Sequence, residues 1–449
     1  MDKIERQLRI AFLVYRGNPQ CGGQGIYTRY LTRELVELGH RVTVFSGPPY
    51  PILDEGVDLV PVPSLDLYRD ADPFRTPALS EFHDYIDWLE YGIMLTAGFP
   101  EPRTFSLRAR RMLASRLGSF DIVHDNQSLG RGLLGMVKDG WPLVETVHHP
   151  ITVDKELDLS HARSFWRKVT LRRWYGFLAM QKRVASRLPR IITVSNNSKV
   201  DISNQMGVDL KKISVVPVGV DHTVFRPLEG RVRRRARIMT TASADVPMKG
   251  LVPLLEALAK LRAEYPSVEL SVVGRLKPES RAAVAIRRLG LDGAVSFVSG
   301  ITDHELVEMY AESEVAVVPS LYEGFSLPAI EAMACGVPLV TTTGGALPEV
   351  VGRHGHTALL VPPNDPDALA TAIGRLLSNA QLRDRLGRAG RQRVLNRFTW
   401  RITAEKTLEQ YEEVLGSISH NLRSSATTTL PALSRHPHPV LNEASNSPV

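Results

Sequence analysis

Cysteine is scarce in this chain: Cys21 and Cys335 are the only two in 449 residues. Two widely separated thiols build no disulfide framework, and that usage is expected of a protein kept in a reducing compartment. Long hydrophobic runs are missing as well. The first apolar stretch, Ile10 to Tyr15, is too short for a signal peptide or a membrane span, and Arg9 precedes it. The expected location is cytoplasmic. Metal-ligating patterns are also lacking, since no His/Cys cluster has ligand spacing and no Asp-x-Asp pair sits at the end of an expected strand. No metal and no cofactor is expected. Finally, acidic residues vanish between Arg163 and Arg190, a segment holding nine Lys and Arg in a chain of net charge +7. Phe165, Trp166, Trp174, Tyr175 and Phe177 are interleaved with those cations. Such a stretch suits the inner face of an anionic membrane, with a solvated face over buried aromatics as the equal alternative. No nucleic-acid motif accompanies the charge.

What is present is an alternation of strand and helix signals. Leu8 to Tyr15 is nearly continuous in apolar residues, as a buried parallel strand requires. A glycine-rich turn follows, then Tyr27, Leu31, Leu35 and Leu38 at helical spacing, then a second strand over 41–45. This βαβ unit predicts a parallel sheet with right-handed crossover. Further strands are expected at 122–123, 143–147 and 191–194. Residues 66–106 are aromatic, acidic and proline-bearing, and read as a long insertion. A hinge falls at Val215–Asp221 with Phe225-Arg226-Pro227, and a second αβ series begins beyond it. Its strands are expected at 238–242, 269–274, 295–298, 315–318 and 339–342, with a helix stripe of Leu251, Leu254, Leu255, Leu258 and Leu261. The α/β fold expected is two doubly wound domains facing across a cleft, with ligands at the carboxyl ends of the strands. The boundaries are 1–222 for the first domain, 223–398 for the second and 399–420 for a final helix. A Ser/Thr/Pro/His-rich tail, 421–449, is expected to be disordered.

The most informative stretch is Tyr322 to Val340, YEGFSLPAIEAMACGVPLV. Glu323 lies on a loop and Glu331 one turn into a helix that Pro328 is suited to open. Gly324 and Phe325 allow close backbone approach, and free N–H groups of Ser326 and Leu327 at such a helix start attract anionic or hydroxyl-rich ligands. A carboxylate accepts hydrogen bonds from sugar hydroxyls, two at once from a cis-diol. These residues alone define a sugar-phosphate site. Three other places supply chemistry. Gly22 and Gly23, with Gly25, let the chain turn after the first strand and offer N–H groups to a phosphate or an acceptor, though they form neither a Walker loop nor a full dinucleotide fingerprint. Lys249-Gly250 puts a point charge at a helix start, suited to a diphosphate. His148 ends the 143–147 strand, where an imidazole binds a hydroxyl without changing charge. His149 beside it leaves open which ring faces the cleft.

The 322–340 run resembles the donor-binding signature of the retaining glycosyltransferases of family 4 (glycosyl transferases group 1), which have GT-B architecture. From about Leu8 to Tyr411 the order of motifs is similar to that of the whole family. The resemblance implies that Glu323 faces the donor sugar, Glu331 holds the nucleotide ribose, His148 contacts the sugar, and the Gly22-Gly23 loop reaches phosphate or acceptor. It implies that Lys249 neutralises a leaving diphosphate and that the final helix crosses back to the first domain. The Gly344-Gly345-x-x-Pro348-Glu349 run matches a further family segment, with Glu349 read as structural. The chain departs from the pattern at Ser243, where the family has an Arg; Arg275 is the candidate substitute. The implied activity is hexose transfer from a UDP- or GDP-linked sugar to a lipid, sugar or small-molecule acceptor, with retention and without a metal. Two rivals stay open: a GT-B-like sugar-nucleotide epimerase, and a non-catalytic membrane-associated scaffold.

Overall fold

In a computed structural model, residues 6–18, 23–69, 71–162, 164–241 and 246–427 are described. Gly22, Cys21, Arg163 and Ser243, with the tail from 428, lie outside them. The chain forms two lobes, each a parallel sheet wrapped by helices.

The first lobe runs β1 (Arg9–Val14), α1 (Gly23–Glu37), β2 (Arg41–Ser46), β3 (Val57–Pro61), α2 (Tyr85–Leu95), α3 (Glu101–Ala114), β4 (Ile122–Asn126), α4 (Arg131–Lys138) and β5 (Leu143–Val147). It continues through α5 (Thr152–His161), α6 (Phe165–Trp174), α7 (Leu178–Ala185), β6 (Ile191–Thr193), α8 (Asn196–Met206) and β7 (Ile213–Val215). The sheet order is β3-β2-β1-β4-β5-β6-β7. Ile10 pairs with Val42 on one side and Ile122 on the other, all parallel. Tyr27, Leu31 and Leu35 of α1 are buried against this sheet, as their helical spacing requires.

The second lobe runs β8 (Arg234–Thr241), α9 (Leu251–Glu264), β9 (Glu269–Val273), α10 (Arg281–Arg288), β10 (Val295–Val298), α11 (Asp303–Glu312), β11 (Ser313–Val318), α12 (Leu327–Ala334) and β12 (Leu339–Thr342). Then come α13 (Leu347–Val351), β13 (Leu359–Val361), α14 (Pro366–Leu377), α15 (Ala380–Arg397) and α16 (Trp400–Thr427). Its order is β10-β9-β8-β11-β12-β13, again parallel. The five leucines of the expected stripe are all buried on α9. Cys335 is buried just past α12 and behaves as a small core residue.

The 66–106 insertion is a packed excursion: it holds α2 and the start of α3, fastened by a buried ion pair between Arg108 and Asp87 at 2.5 Å and by a second contact from Arg108 to Glu90. The final helix does not stop at 420 but continues to Thr427.

α16 returns to the first lobe. Trp400 stacks on Tyr30 of α1 with ring centroids 5.4 Å apart, and the Tyr411 hydroxyl meets His124 Nδ1 at 2.6 Å. The two chain crossings between lobes lie side by side, with Val220 N–H donating to the Phe398 carbonyl at 2.8 Å. Gly219 is needed there, because a Cβ would come within 2.4 Å of the Trp400 nitrogen.

Candidate functional site

Strand order reverses direction between β1 and β4 in one lobe and between β8 and β11 in the other. At such switch points the loops diverge and leave a crevice at the carboxyl ends of the strands. The residues following those four strands do line one interlobe cavity of about 680 Å³: Arg16 and Gly23 after β1, Gln127 after β4, Lys249 after β8, Glu323 to Pro328 after β11. His148 and His149, after β5, both line it, so the structure brings both rings to the cleft rather than choosing one.

Lys249 ends a tight turn over Pro247–Lys249, and Gly250 caps it in the left-handed region at φ 66°. Only glycine fits, since a Cβ at Gly250 would lie 1.9 Å from the Pro319 carbonyl oxygen. This turn brings Lys249 Nζ to Glu323 Oε1 at 2.8 Å, and Ser320 Oγ donates to the same oxygen at 2.7 Å. The two residues expected to grip phosphate and sugar are thus adjacent, at the junction such a ligand would present. Glu323 is largely buried and Lys249 about a third exposed.

The loop after Glu323 is under backbone strain. Ser326, at the N-cap of α12, has φ 108° and ψ 90°, a conformation costly for a residue with a Cβ. Its hydroxyl is buried without a hydrogen-bond partner among the described residues. Pro328 occupies the first turn of α12 as expected, where its missing N–H costs nothing.

Glu331 does not line the main cavity. It lines an adjoining pocket of about 130 Å³ with Arg29, Tyr30, Asp303 and Trp400, which meets the larger one at Gly25 and Leu327. Burial, and then the charge of Asp303, push its carboxyl up to about 7.

His148 Nε2 lies 2.9 Å from Asn126 Oδ1. The Asn126 amide nitrogen is already spent on the Gln24 carbonyl and Thr28 Oγ1, so Oδ1 accepts and His148 carries its proton on Nε2. Its ring stands edge-on to Tyr27, with centroids 4.7 Å apart. Burial, and then His149, push it down to about 3, so it is neutral at any working pH.

Gly22 lies outside the described residues, and Arg275 is an exposed side chain past β9 that lines neither pocket. The glycine that close packing demands is Gly25, whose Cβ would lie 2.1 Å from the Asn18 carbonyl oxygen, whereas Gly23 has open space. Sequence reasoning also missed Arg16 and Gln127. Arg16 stands 3.6 Å from Glu101, whose carboxyl burial pushes up to about 8 against the pull of Arg16. A cation directly after the first parallel strand was the available signal. Gln127 carried none: its side chain accepts from His148 N–H at 2.9 Å only because β4 and β5 are neighbours.

Residues 21–224 match the family described as Glycosyltransferase Family 4, and residues 230–393 match Glycosyl transferases group 1. The MMP alpha-(1->4)-mannosyltransferase of Mycolicibacterium hassiacum is 53% identical over 413 residues, spanning 92% of this chain and 100% of the relative. This chain belongs to glycosyltransferase family 4. A D-inositol 3-phosphate glycosyltransferase of Streptomyces bingchenggensis is 28% identical, over 91% of this chain and 90% of its own length. Among solved structures, sucrose-phosphate synthase from Thermosynechococcus elongatus has a TM-score of 0.68 at 23% identity, covering 92% of this chain and 100% of that one. Anabaena HepE, solved with UDP, has a TM-score of 0.65 at 18% identity, covering 90% of this chain and 100% of its own. The fold is the GT-B arrangement of two Rossmann-like domains, and the protein is a glycosyltransferase.

Proposed function

We propose that this glycosyltransferase moves an α-mannosyl unit from a nucleoside diphosphate sugar (UDP- or GDP-linked) to the 4-hydroxyl of a saccharide acceptor, with retention at the anomeric carbon. The linkage is that of the relative at 53% identity, which this chain matches over the relative's whole length. The observation that carries the reading is the Lys249–Glu323 contact at 2.8 Å, where a cation for phosphate and a carboxylate for sugar hydroxyls share one corner.

In this reading the bond from the anomeric carbon to the phosphate oxygen breaks and its electron pair leaves with the diphosphate. Lys249 and the free N–H groups opening α12 stabilise that charge. The acceptor hydroxyl attacks from the same face and passes its proton to the departing phosphate oxygen. His148, neutral with its proton fixed on Nε2, orients the sugar, and Glu331 accepts from the ribose diol. Lys249 supplies charge that other transferases take from a divalent ion, so no metal is required.

The deciding experiment mixes purified protein with GDP-mannose, UDP-glucose or ADP-glucose and an oligomannoside, with and without chelator. An α-linked mannoside formed at equal rate with chelator is expected. No transfer from any donor, a β-linked product, or a new epimer of the donor alone would overturn the proposal.

We also propose that α6 docks on anionic lipid. Phe165 and Trp166 are 69% and 75% exposed, and Arg167, Lys168 and Arg172 on the same helix have no carboxylate partner among the described residues. Trp174, Tyr175 and Phe177, by contrast, pack inward, so the lipid face is confined to the start of the helix.

A further inference from the structure

Residues 195–198, Ser-Asn-Asn-Ser, place four hydrogen-bonding side chains in a row where α8 begins. Two bonds stay within the helix: Ser195 Oγ accepts from Ser198 N–H at 3.0 Å as an N-cap, and Asn197 Nδ2 donates to Asp201 Oδ2 at 2.9 Å. The others cross the cleft to the second lobe. Ser195 Oγ donates to the Gly324 carbonyl at 2.7 Å, and Ser198 Oγ donates to the same oxygen at 3.1 Å, so both lone pairs of that carbonyl are used. Asn196 donates from N and Nδ2 to the Glu349 carboxylate at 2.9 and 2.8 Å, and Asn197 Nδ2 donates to the Tyr322 hydroxyl at 2.9 Å.

Gly324 sits between Glu323, which faces the sugar, and Ser326 at φ 108°. A strained backbone persists only where its surroundings over-determine it. From its own lobe this loop has the Ala346 N–H on the Glu323 carbonyl at 2.8 Å. The two serines hold the next carbonyl from the other side.

We propose that Ser195 and Ser198 are positioning residues for glycosyl transfer. From the first lobe they fix the Gly324 carbonyl of the second, so the strained donor loop takes its binding shape only when the cleft is closed. The claim rests on the donor reading given above and adds what organises that site. It also implies linkage: whatever favours closure tightens donor binding, and donor binding favours closure equally.

The test uses the full chain with Ser195→Asp combined with Ser198→Ala. Aspartate keeps an acceptor for the helix cap but has no proton to give Gly324. Ser195→Thr, which keeps both, is the rescue, and Ser198→Ala alone, which spares the cap, covers the case where the double variant fails to fold. Two readouts are taken. Hydrogen exchange of the 322–330 segment without any donor should accelerate in the double variant and return to normal with Ser195→Thr. Donor KM should rise by about tenfold or more, a size typical of coupling between sites, with acceptor KM unchanged. Unchanged exchange overturns the latch whatever the donor is. Faster exchange with unaltered donor KM and kcat overturns the positioning role. Wild-type protein that binds no nucleotide sugar sinks the donor reading instead, a failure visible before any serine is changed.

Discussion

At the scale of single residues, the Lys249–Glu323 contact decides most. Losing one well-placed group that stabilises developing charge costs on the order of 3 kcal/mol, or about a hundredfold in rate. Lys249→Ala and Glu323→Ala should each lower kcat at least about a hundredfold while the far-ultraviolet spectrum and melting profile stay native. Wild-type turnover in either variant would contradict the assigned roles. Glu331 gives a pH prediction with a definite sign. Its carboxyl is raised to about 7 by burial and Asp303, and ribose hydroxyls donate to the ionised form. Donor KM should therefore be low and flat above pH 8 and rise as pH falls through 7, by about tenfold per unit once the acid form dominates. Glu331→Gln should raise KM and flatten that limb; an unaltered limb in the variant would assign it to another group. His148, held near 3, contributes no inflection between pH 5 and 9.

At the scale of elements, helix α16 does more than cover the first lobe. The Tyr411 hydroxyl, His124, Thr146 and Tyr27 form a buried hydrogen-bonded row, with contacts of 2.6, 2.7 and 3.3 Å. Tyr27 then meets the edge of His148, linking the helix to the site by contact. Tyr411→Phe strands a buried nitrogen on His124, which costs about 1–3 kcal/mol. Urea denaturation should show that loss, with donor KM unchanged because no ligand contact is removed. A stability equal to wild type would mean the row is not formed. The strands show how local signals fail. Leu143–Val147 and Leu339–Thr342 are legible as apolar runs, because each lies between two other strands, and Val295–Val298 is legible although it is outermost in its sheet. Val57–Pro61, Ile213–Val215 and Leu359–Val361 were not legible, and each is an outermost strand of its sheet. Edge strands are short and half solvated, so their sequences need no continuous apolar run. The α2 segment was equally opaque: it read only as an acidic insertion, yet its acids Asp87 and Glu90 are buried around Arg108, whose position 18 residues beyond Glu90 no periodicity announces.

At the scale of the whole molecule, charge is uneven, and lipid binding by α6 is the consequence to measure. Sedimentation with vesicles rich in phosphatidylglycerol should carry the protein down at low salt and release it as ionic strength rises, since exposed charges are screened over about 10 Å at 0.1 M. Phe165→Ser combined with Trp166→Ser should halve binding or more without affecting turnover of a soluble acceptor. Equal binding to neutral vesicles, or binding only to nucleic acid, would refute the assignment. No helix among the described residues is long and apolar enough to span a bilayer.

Composition, alternation of apolar runs and the 322–340 motif determined that two doubly wound lobes would form, and marked a carboxylate loop and a lysine turn as the candidate sugar-phosphate site. Those signals are local: they depend on neighbours within a strand, a turn or one helical face. Which residues meet was decided by tertiary structure alone. Glu323 and Lys249 are 74 positions apart and touch because β8 and β11 are adjacent in the sheet. Arg16 reaches the cavity although Arg275 does not, Glu331 turns into its own pocket, and two serines on one lobe hold a carbonyl on the other. Strand order and lobe packing fix such meetings, and neither leaves a periodic trace in the chain.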